Sequence, residues 1–323
     1  RRFAEYLARS LSATPEKLTT EVFLSDNKHL LQGYLAAIAT LLMWSAFSLV
    51  SRLGGKSVLT PYDVYALRVI TAAVVLLPFI RRLPPHAWRD GRLWLLTTLC
   101  SLIYCPLVYS GFKYAPAAHG GILLAGMQPL LIGVIIWLST GTRPGKSRIA
   151  GQILITAGII CAAVPYFNDW SASSAFGDLL IFLSSVCWAI YSVLAARWGY
   201  SAWGLTCAIA FGSFVAYLPV YFLWLPKALD AAPLSAIIMQ GLYQGIFATI
   251  LAMLTYLKAI SILGAERCAP LLALVPIIIG LVAVPLLDEP LTVWLMAGLV
   301  LVSLGAFVAS RQKAHVHQDI SKT

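Results

Sequence analysis

Long apolar stretches separated by short polar punctuation run along almost the whole chain. Segments 30–51, 114–142, 149–168, 198–226, 231–257, 268–287 and 291–310 contain no Asp, Glu, Lys or Arg. Each is long enough to cross a bilayer, since a helix needs about 20 mostly apolar residues to span the hydrocarbon. Three further spans are predicted: 62–80, interrupted only by Asp63 and Arg68; 93–112, between Arg92 and Lys113; and 176–196, with Asp178 near its start. The alternating polar and apolar pattern of a membrane barrel is absent from the sequence, so helices must satisfy the backbone within the bilayer. The pattern predicts an all-α membrane protein of ten transmembrane helices.

Self-similarity along the chain organises these helices. Pro129, Gly133, Gly151 and Gly158 match Pro276, Gly280, Gly298 and Gly305 at an offset of 147 residues. Gly33, Trp44 and Ser48 match Gly177, Trp188 and Ser192 at an offset of 144, and Lys113 matches Lys258 at 145. The resulting units are a segment 1–30, a first five-helix repeat 31–164, a connector 165–175, a second five-helix repeat 176–310 and a tail 311–323. Five is odd. The second repeat therefore begins on the opposite side of the membrane from the first, giving two inverted five-helix repeats. Inverted repeats are the usual architecture of secondary transporters, which expose one central site to each side in turn.

Charge then sets the orientation. With residue 1 placed in the cytoplasm, 18 Lys and Arg fall on that side, against Arg52, Lys56, Lys113 and Lys227 on the other. By the positive-inside rule both termini are expected in the cytoplasm. The net charge of +10 thus reports topology, and a nucleic-acid partner is not expected. Residues 1–30 lack the apolar core of a cleaved signal peptide; Phe3, Tyr6, Leu7 and Leu11 recur at helical spacing, compatible with a short surface helix or a polar tail. Cys100, Cys105, Cys161, Cys187, Cys207 and Cys268 form no CxxC pair and read as packing residues, while His29, His86, His119, His315 and His317 are scattered. Neither a metal site nor a cofactor is predicted.

At this point the chain resembles a known family. Two five-span halves have Gly and Trp in the first helix, Pro in the fourth and paired Gly in the fifth. The acidic-Pro step Asp288, Glu289, Pro290 precedes the last helix. Together these features are similar to the EamA-type exporters of the drug/metabolite transporter superfamily. Thr142, Arg143 and Pro144 depart from the pattern at the corresponding place in the first half. The resemblance implies a bacterial inner-membrane protein that exports amino acids or related metabolites, with a likeness to the aromatic amino acid exporters.

Candidate chemistry lies on the buried stripes. Trp44 stands 13 residues beyond Leu31, about 20 Å along a helix rising 1.5 Å per residue, too deep for an interfacial ring. Ser48 and Ser51 share its face, as Ser184 with Tyr191 or Ser192 share that of Trp188. These residues suit a cavity for a part-apolar, part-polar solute; packing between helices is the alternative. Arg68 is the one charge well inside a span, at a cost of about 2.5–3.5 kcal/mol at mid-depth. It can bind a substrate carboxylate, pair with Asp63, or extend to the nearby surface. Tyr104, Tyr109 and Gln128, with Tyr243, Gln244, Thr249 and Tyr256, are further buried hydrogen bonders. Pro129 and Pro276 would loosen their helices as hinges, and Gly241 with Gly245 permits close helix approach.

Absences narrow the function. Acidic residues are missing from the middles of the spans, which disfavours proton-driven export of cationic drugs. HExxH and GxSxG are also missing, which disfavours a membrane enzyme. A channel would need charged rings or a filter loop. The expected partners are a small-molecule substrate and the bilayer, with the chain a monomer. Other metabolites, nucleotide-like or sugar-like, are the alternative solutes.

Overall fold

The computed structural model describes residues 15–83, 88–141, 144–164 and 172–310. Regular structure among them is helical throughout. Ten helices follow in order: α1 Pro15–Lys56, α2 Pro61–Ile80, α3 Gly91–Tyr114, α4 Ala117–Thr140, α5 Lys146–Ala163, α6 Ala172–Trp198, α7 Ala202–Trp224, α8 Leu234–Leu263, α9 Arg267–Leu287 and α10 Val293–Ser310. Nine of the described helices are long and apolar enough to cross a membrane. The tenth, α5, has 18 residues and opens on Lys146 and Arg148. It nonetheless packs along α10, the most extensive helix pair in the molecule.

Local sequence explains where helices begin and end. Helix α1 starts within the segment assigned above to residues 1–30, with Pro15 at its first position, because neither Gly nor Pro interrupts it before Gly33. The surface helix drawn from Phe3 to Leu11, the tail 311–323 and most of the connector 165–175 lie outside the described residues. Thr60 caps α2 by accepting from the Asp63 amide, while Asp63 Oδ2 accepts from the Thr60 amide at 2.8 Å. This capping box engages Asp63 locally. Helix α4 ends at Gly141 with φ 69°, and α9 ends at the equivalent position of the second repeat, Asp288, with φ 54°, the same left-handed cap in both halves.

Packing shows that the halves are inverted copies. The three most extensive pairs are α5 with α10, α1 with α8, and α3 with α6. Exchanging the halves turns α1–α8 into α6–α3 and leaves α5–α10 unchanged, as a two-fold relation requires. The repeated glycines sit at these crossings. A Cβ at Gly151 would come within 2.5 Å of Gly305 O, and one at Gly158 within 2.8 Å of Gly298 O. Since 151 faces 305 and 158 faces 298, the two helices run antiparallel. Gly33 lies against Ile262 and Leu263 of α8, and its counterpart Gly177 against Gly111 and Ala115 of α3.

The surface is inside out relative to a water-soluble bundle. Leu138, Leu223, Trp224 and Val293 are more than two-thirds exposed, while Ser45, Ser48, Ser51, Gln240 and Gln244 are buried. Apolar side chains facing outward and polar ones paired inward suit lipid as solvent. This is a multi-pass membrane protein.

Candidate functional site

Three helices depart from regular α geometry where the polar residues cluster. A wider π-helical turn covers Thr98–Ile103 of α3, and a longer one covers Tyr243–Leu251 at the matching level of α8 in the second repeat. Tyr104 directly follows the first, and Gln244 lies in the second. Thr249 Oγ1 donates to Gln244 O at 2.6 Å, bridging the widened turn. The third irregular stretch is Gly121–Gly126 of α4, where the Met127 amide reaches back to Ile122 O at 2.9 Å. Such turns present side chains that a regular helix would turn elsewhere, and they recur at functional sites.

Helices α4 and α9 break at equivalent places. Met127 has φ −81° and ψ −14°; Leu274, its counterpart in the second repeat, has φ −80° and ψ −11°. Each break stands two residues before a proline, Pro129 or Pro276. Lacking an N–H, these prolines leave Ala125 O and Leu272 O without their normal helical donors.

A chain of hydrogen bonds joins four helices at the centre. Arg68 of α2 donates from Nη1 to Tyr109 OH of α3 at 3.2 Å, and that hydroxyl donates to Gln244 Oε1 of α8 at 3.0 Å. Gln244 Nε2 donates to Ser51 Oγ of α1 at 3.2 Å. Gln240, one turn before Gln244, donates to Val50 O at 2.8 Å, and Tyr243 donates to Met43 O. Arg68 pairs with no carboxylate among the described residues. Asp63, weighed above as its partner, instead accepts from Tyr221 OH and from the amides of Thr60 and Ala228.

Aromatic rings flank this network. Phe47 lies 6.2 Å from Tyr109 between centroids, Tyr104 5.3 Å from Trp188, and Trp188 5.2 Å from Tyr191. One turn before Trp188, Ser185 meets Gln128. Gln128 Nε2 donates to Ser185 O at 3.2 Å and to Ser185 Oγ at 2.8 Å, and Ser185 Oγ donates to Leu123 O at 2.6 Å. A carbonyl can only accept, so the amide orientation is fixed by chemistry. Gln128 Oε1 is then buried with no donor among the described residues.

Sequence comparison supplies the family. The EamA-like transporter family model matches the chain twice, over residues 31–164 and 175–311. The chain belongs to the EamA-like transporter family. Its relatives include YyaM of Bacillus subtilis (strain 168), described as an uncharacterized transporter, 25% identical over 63% of this chain and 68% of that protein. YvbV of the same organism, described likewise, is 27% identical over 67% and 72%. A solved crystal structure with a TM-score of 0.59 and 20% identity spans 86% of this chain and 96% of its own, and shares the fold.

Within this EamA-type bundle the candidate residues sort into three groups. Arg68, Tyr109 and Gln244 are directly hydrogen bonded. Tyr104, Trp188, Tyr191 and Gln128 surround them through rings and the Ser185 contact. Trp44, Ser48 and Ser184 stand apart. Trp44 packs on Tyr256 at 5.0 Å, Ser48 lies near the Gly120 backbone, and the Ser184 hydroxyl donates to Ile181 O at 2.7 Å in its own helix. Gly241 and Gly245 seat α8 against Thr71 of α2, a packing role. Gln240, Phe47 and Ser185 join the site without having been singled out for it, and Ser51, expected on the Trp44 face, joins it through Gln244. Only Ser51 carried a signal, its position seven residues from Trp44.

Proposed function

We propose that this EamA-family transporter exports amino acids, aromatic or otherwise apolar, binding their carboxylate at Arg68. The observation that carries this reading is a cation inside the bundle that donates to the Tyr109 hydroxyl and pairs with no carboxylate among the described residues. Charge buried in low dielectric favours a counter-ion, and guanidinium matches a carboxylate in two-point geometry. A solute bringing that carboxylate would complete the pair, and leaving would restore the empty state. The orphan acceptor Gln128 Oε1 suits the ammonium of the same zwitterion, and Phe47, Tyr104, Trp188 and Tyr191 suit its apolar body. Alternating access would use the proline breaks in α4 and α9 as hinges. Loop charges support cytoplasmic termini in a bacterial inner membrane, and the transporter acts as a monomer.

The test is counterflow in proteoliposomes with a panel of radiolabelled amino acids and their decarboxylated and amidated analogues. Saturable counterflow of apolar amino acids is expected, together with loss of competition by analogues lacking the carboxylate. Arg68→Gln should abolish it. Counterflow of neutral solutes undiminished in Arg68→Gln would overturn the carboxylate reading.

A further inference from the structure

The end of the bundle formed by the C-terminus of α1, the α3–α4 turn and the α9–α10 turn is tied shut across the two halves. Arg52 of the first half donates from Nε to Glu289 Oε1 of the second at 2.7 Å, and from Nη1 to Phe112 O at 2.8 Å and Lys113 O at 3.0 Å. The other carboxylate oxygen of Glu289 accepts from the Ala117 amide at 2.8 Å. Lys56 donates to Leu287 O. At the same end, His119 Nδ1 of α4 is hydrogen bonded to Asp178 Oδ1 of α6 at 3.0 Å, a second link from the first half to the second. The side chains of Arg52 and Glu289 are only 13% and 8% exposed, so water screens the pair little.

Among the described residues the opposite end lacks these links. Moving each residue by the repeat offset puts Ala196 in place of Arg52, Thr142 in place of Glu289, Glu266 in place of His119 and Tyr34 in place of Asp178. Neither pair has both its members matched in type there. The glycine crossings, helix breaks and caps are duplicated, whereas among the described residues the ties are not.

We propose that Glu289 and Asp178 are the two bolts of a gate at this end, and that the transporter rests with this face closed because, among the described residues, these links between the halves must break here and have no counterparts at the other end. This rests on the alternating-access reading of the family and not on the identity of the solute. Loop charges put the bolted face outside the cell. Glu289 does the larger share, because one carboxylate holds α1 through Arg52 and the start of α4 through the Ala117 amide at once. Opening must release both.

Hydrogen–deuterium exchange of the full chain in lipid nanodiscs tests this without any substrate. Glu289→Gln keeps an oxygen for the Ala117 amide and removes the charge for Arg52; Asp178→Asn does the same for His119. In the double variant, amide exchange over 112–120 and 283–289 should rise at least tenfold, with each single variant intermediate. Exchange at the opposite end, over 258–264, should stay the same or slow. Unchanged exchange at the bolted end in the double variant would overturn the gate. So would an equal rise at both ends, the mark of general loosening. Circular dichroism and size-exclusion chromatography first establish that the double variant folds; if it does not, the single variants decide by the same end-to-end comparison. Loss of counterflow in Arg68→Gln with bolted-end exchange unchanged would separate failure at the site from failure of the gate.

Discussion

A methyl group at Gly151 offers the sharpest test of the inverted architecture. Its ideal Cβ position lies 2.5 Å from both Gly305 O and the Ala309 amide nitrogen, both backbone atoms that no rotamer change can move. An ordinary carbon-to-oxygen contact is about 3.3 Å or longer, so α5 and α10 must separate by up to about 0.8 Å at this level. A gap of that size forfeits between a quarter and a half of the dispersion well for each atom pair along the crossing. Overpacking costs about 1–3 kcal/mol, and the upper part of that range, about 2–3 kcal/mol, applies where the clash is with backbone, while the better helix propensity of Ala returns at most about 1 kcal/mol. Gly151→Ala should therefore lower stability by about 1–2 kcal/mol, and Gly298→Ala, its repeat counterpart, by a similar amount. Gly305→Ala acts at the same crossing as Gly151→Ala, since its Cβ would meet Gly151 O at 2.7 Å. Once one methyl has spread the helices the second finds room, so the Gly151/Gly305 double variant should fall short of the sum of its singles by about 0.5 kcal/mol or more. Equilibrium unfolding in detergent by intrinsic tryptophan fluorescence measures all four. Additive losses in the double variant, or a single variant as stable as the parent, would refute the two-fold crossing.

Other consequences follow from the same geometry. Tyr109→Phe leaves Gln244 Oε1 buried without its donor, and should cost about 1 kcal/mol, between the ~0.6 kcal/mol average of interhelical bonds in membranes and the ~1–3 kcal/mol of an orphaned acceptor. Because Arg68 keeps its charge, counterflow KM should rise only a few-fold where Arg68→Gln abolishes counterflow. Asp288→Gly should stabilise by up to about 1 kcal/mol in the same unfolding assay, since Asp288 holds φ 54° where the other half has Gly141. At the polar end of the bundle, the Tyr200 hydroxyl beside Asp90 holds its carboxyl below the ordinary 3.8. A depressed folded-state value means stability that is present above the unfolded value and lost as pH falls through the folded one. The stability gap between the parent and Tyr200→Phe should therefore stay level above about pH 5 and close below about pH 4 in pH-dependent unfolding; a gap that widens in acid would contradict this.

Much of the fold is legible from the order of residues because lipid imposes one rule on every span. Uncharged stretches, repeated Pro and Gly, and parity led to the same ten helices and two halves that the packing displays. The site was legible by residue type and less so by face. Arg68, Tyr109 and Gln244 stand out as polar groups in apolar runs. Ser184 and Ser185 are neighbours, and the helical turn between one residue and the next decides which of them meets Gln128; the phase of α6 against α4 is a tertiary fact. Trp44 and Trp188 occupy matched positions, yet Trp44 packs on Tyr256 and Trp188 joins the rings around the network, because their partner helices carry different residues. The tie between Arg52 and Glu289 joins residues 237 apart, a distance over which no periodicity carries information.

What the repeat copies and what it does not are different kinds of residue. Glycine crossings, proline breaks and left-handed caps shape the helices and their packing, and each occurs in both halves; on the proposed alternating-access reading, each half bends in the same way. Arg68 has no charged counterpart anywhere in 198–226, the span that α7 occupies. Its network draws Tyr109 and Ser51 from the first half and Gln244 from the second. A site of this composition changes its contacts whenever the halves move, so the bound solute and the two bolts act on the same equilibrium. Duplicated scaffold makes the two end states close in energy. On the proposed reading the unduplicated polar groups choose between them: Glu289 and Asp178 hold the empty protein, and a carboxylate at Arg68 would turn the molecule over by offsetting those two ties.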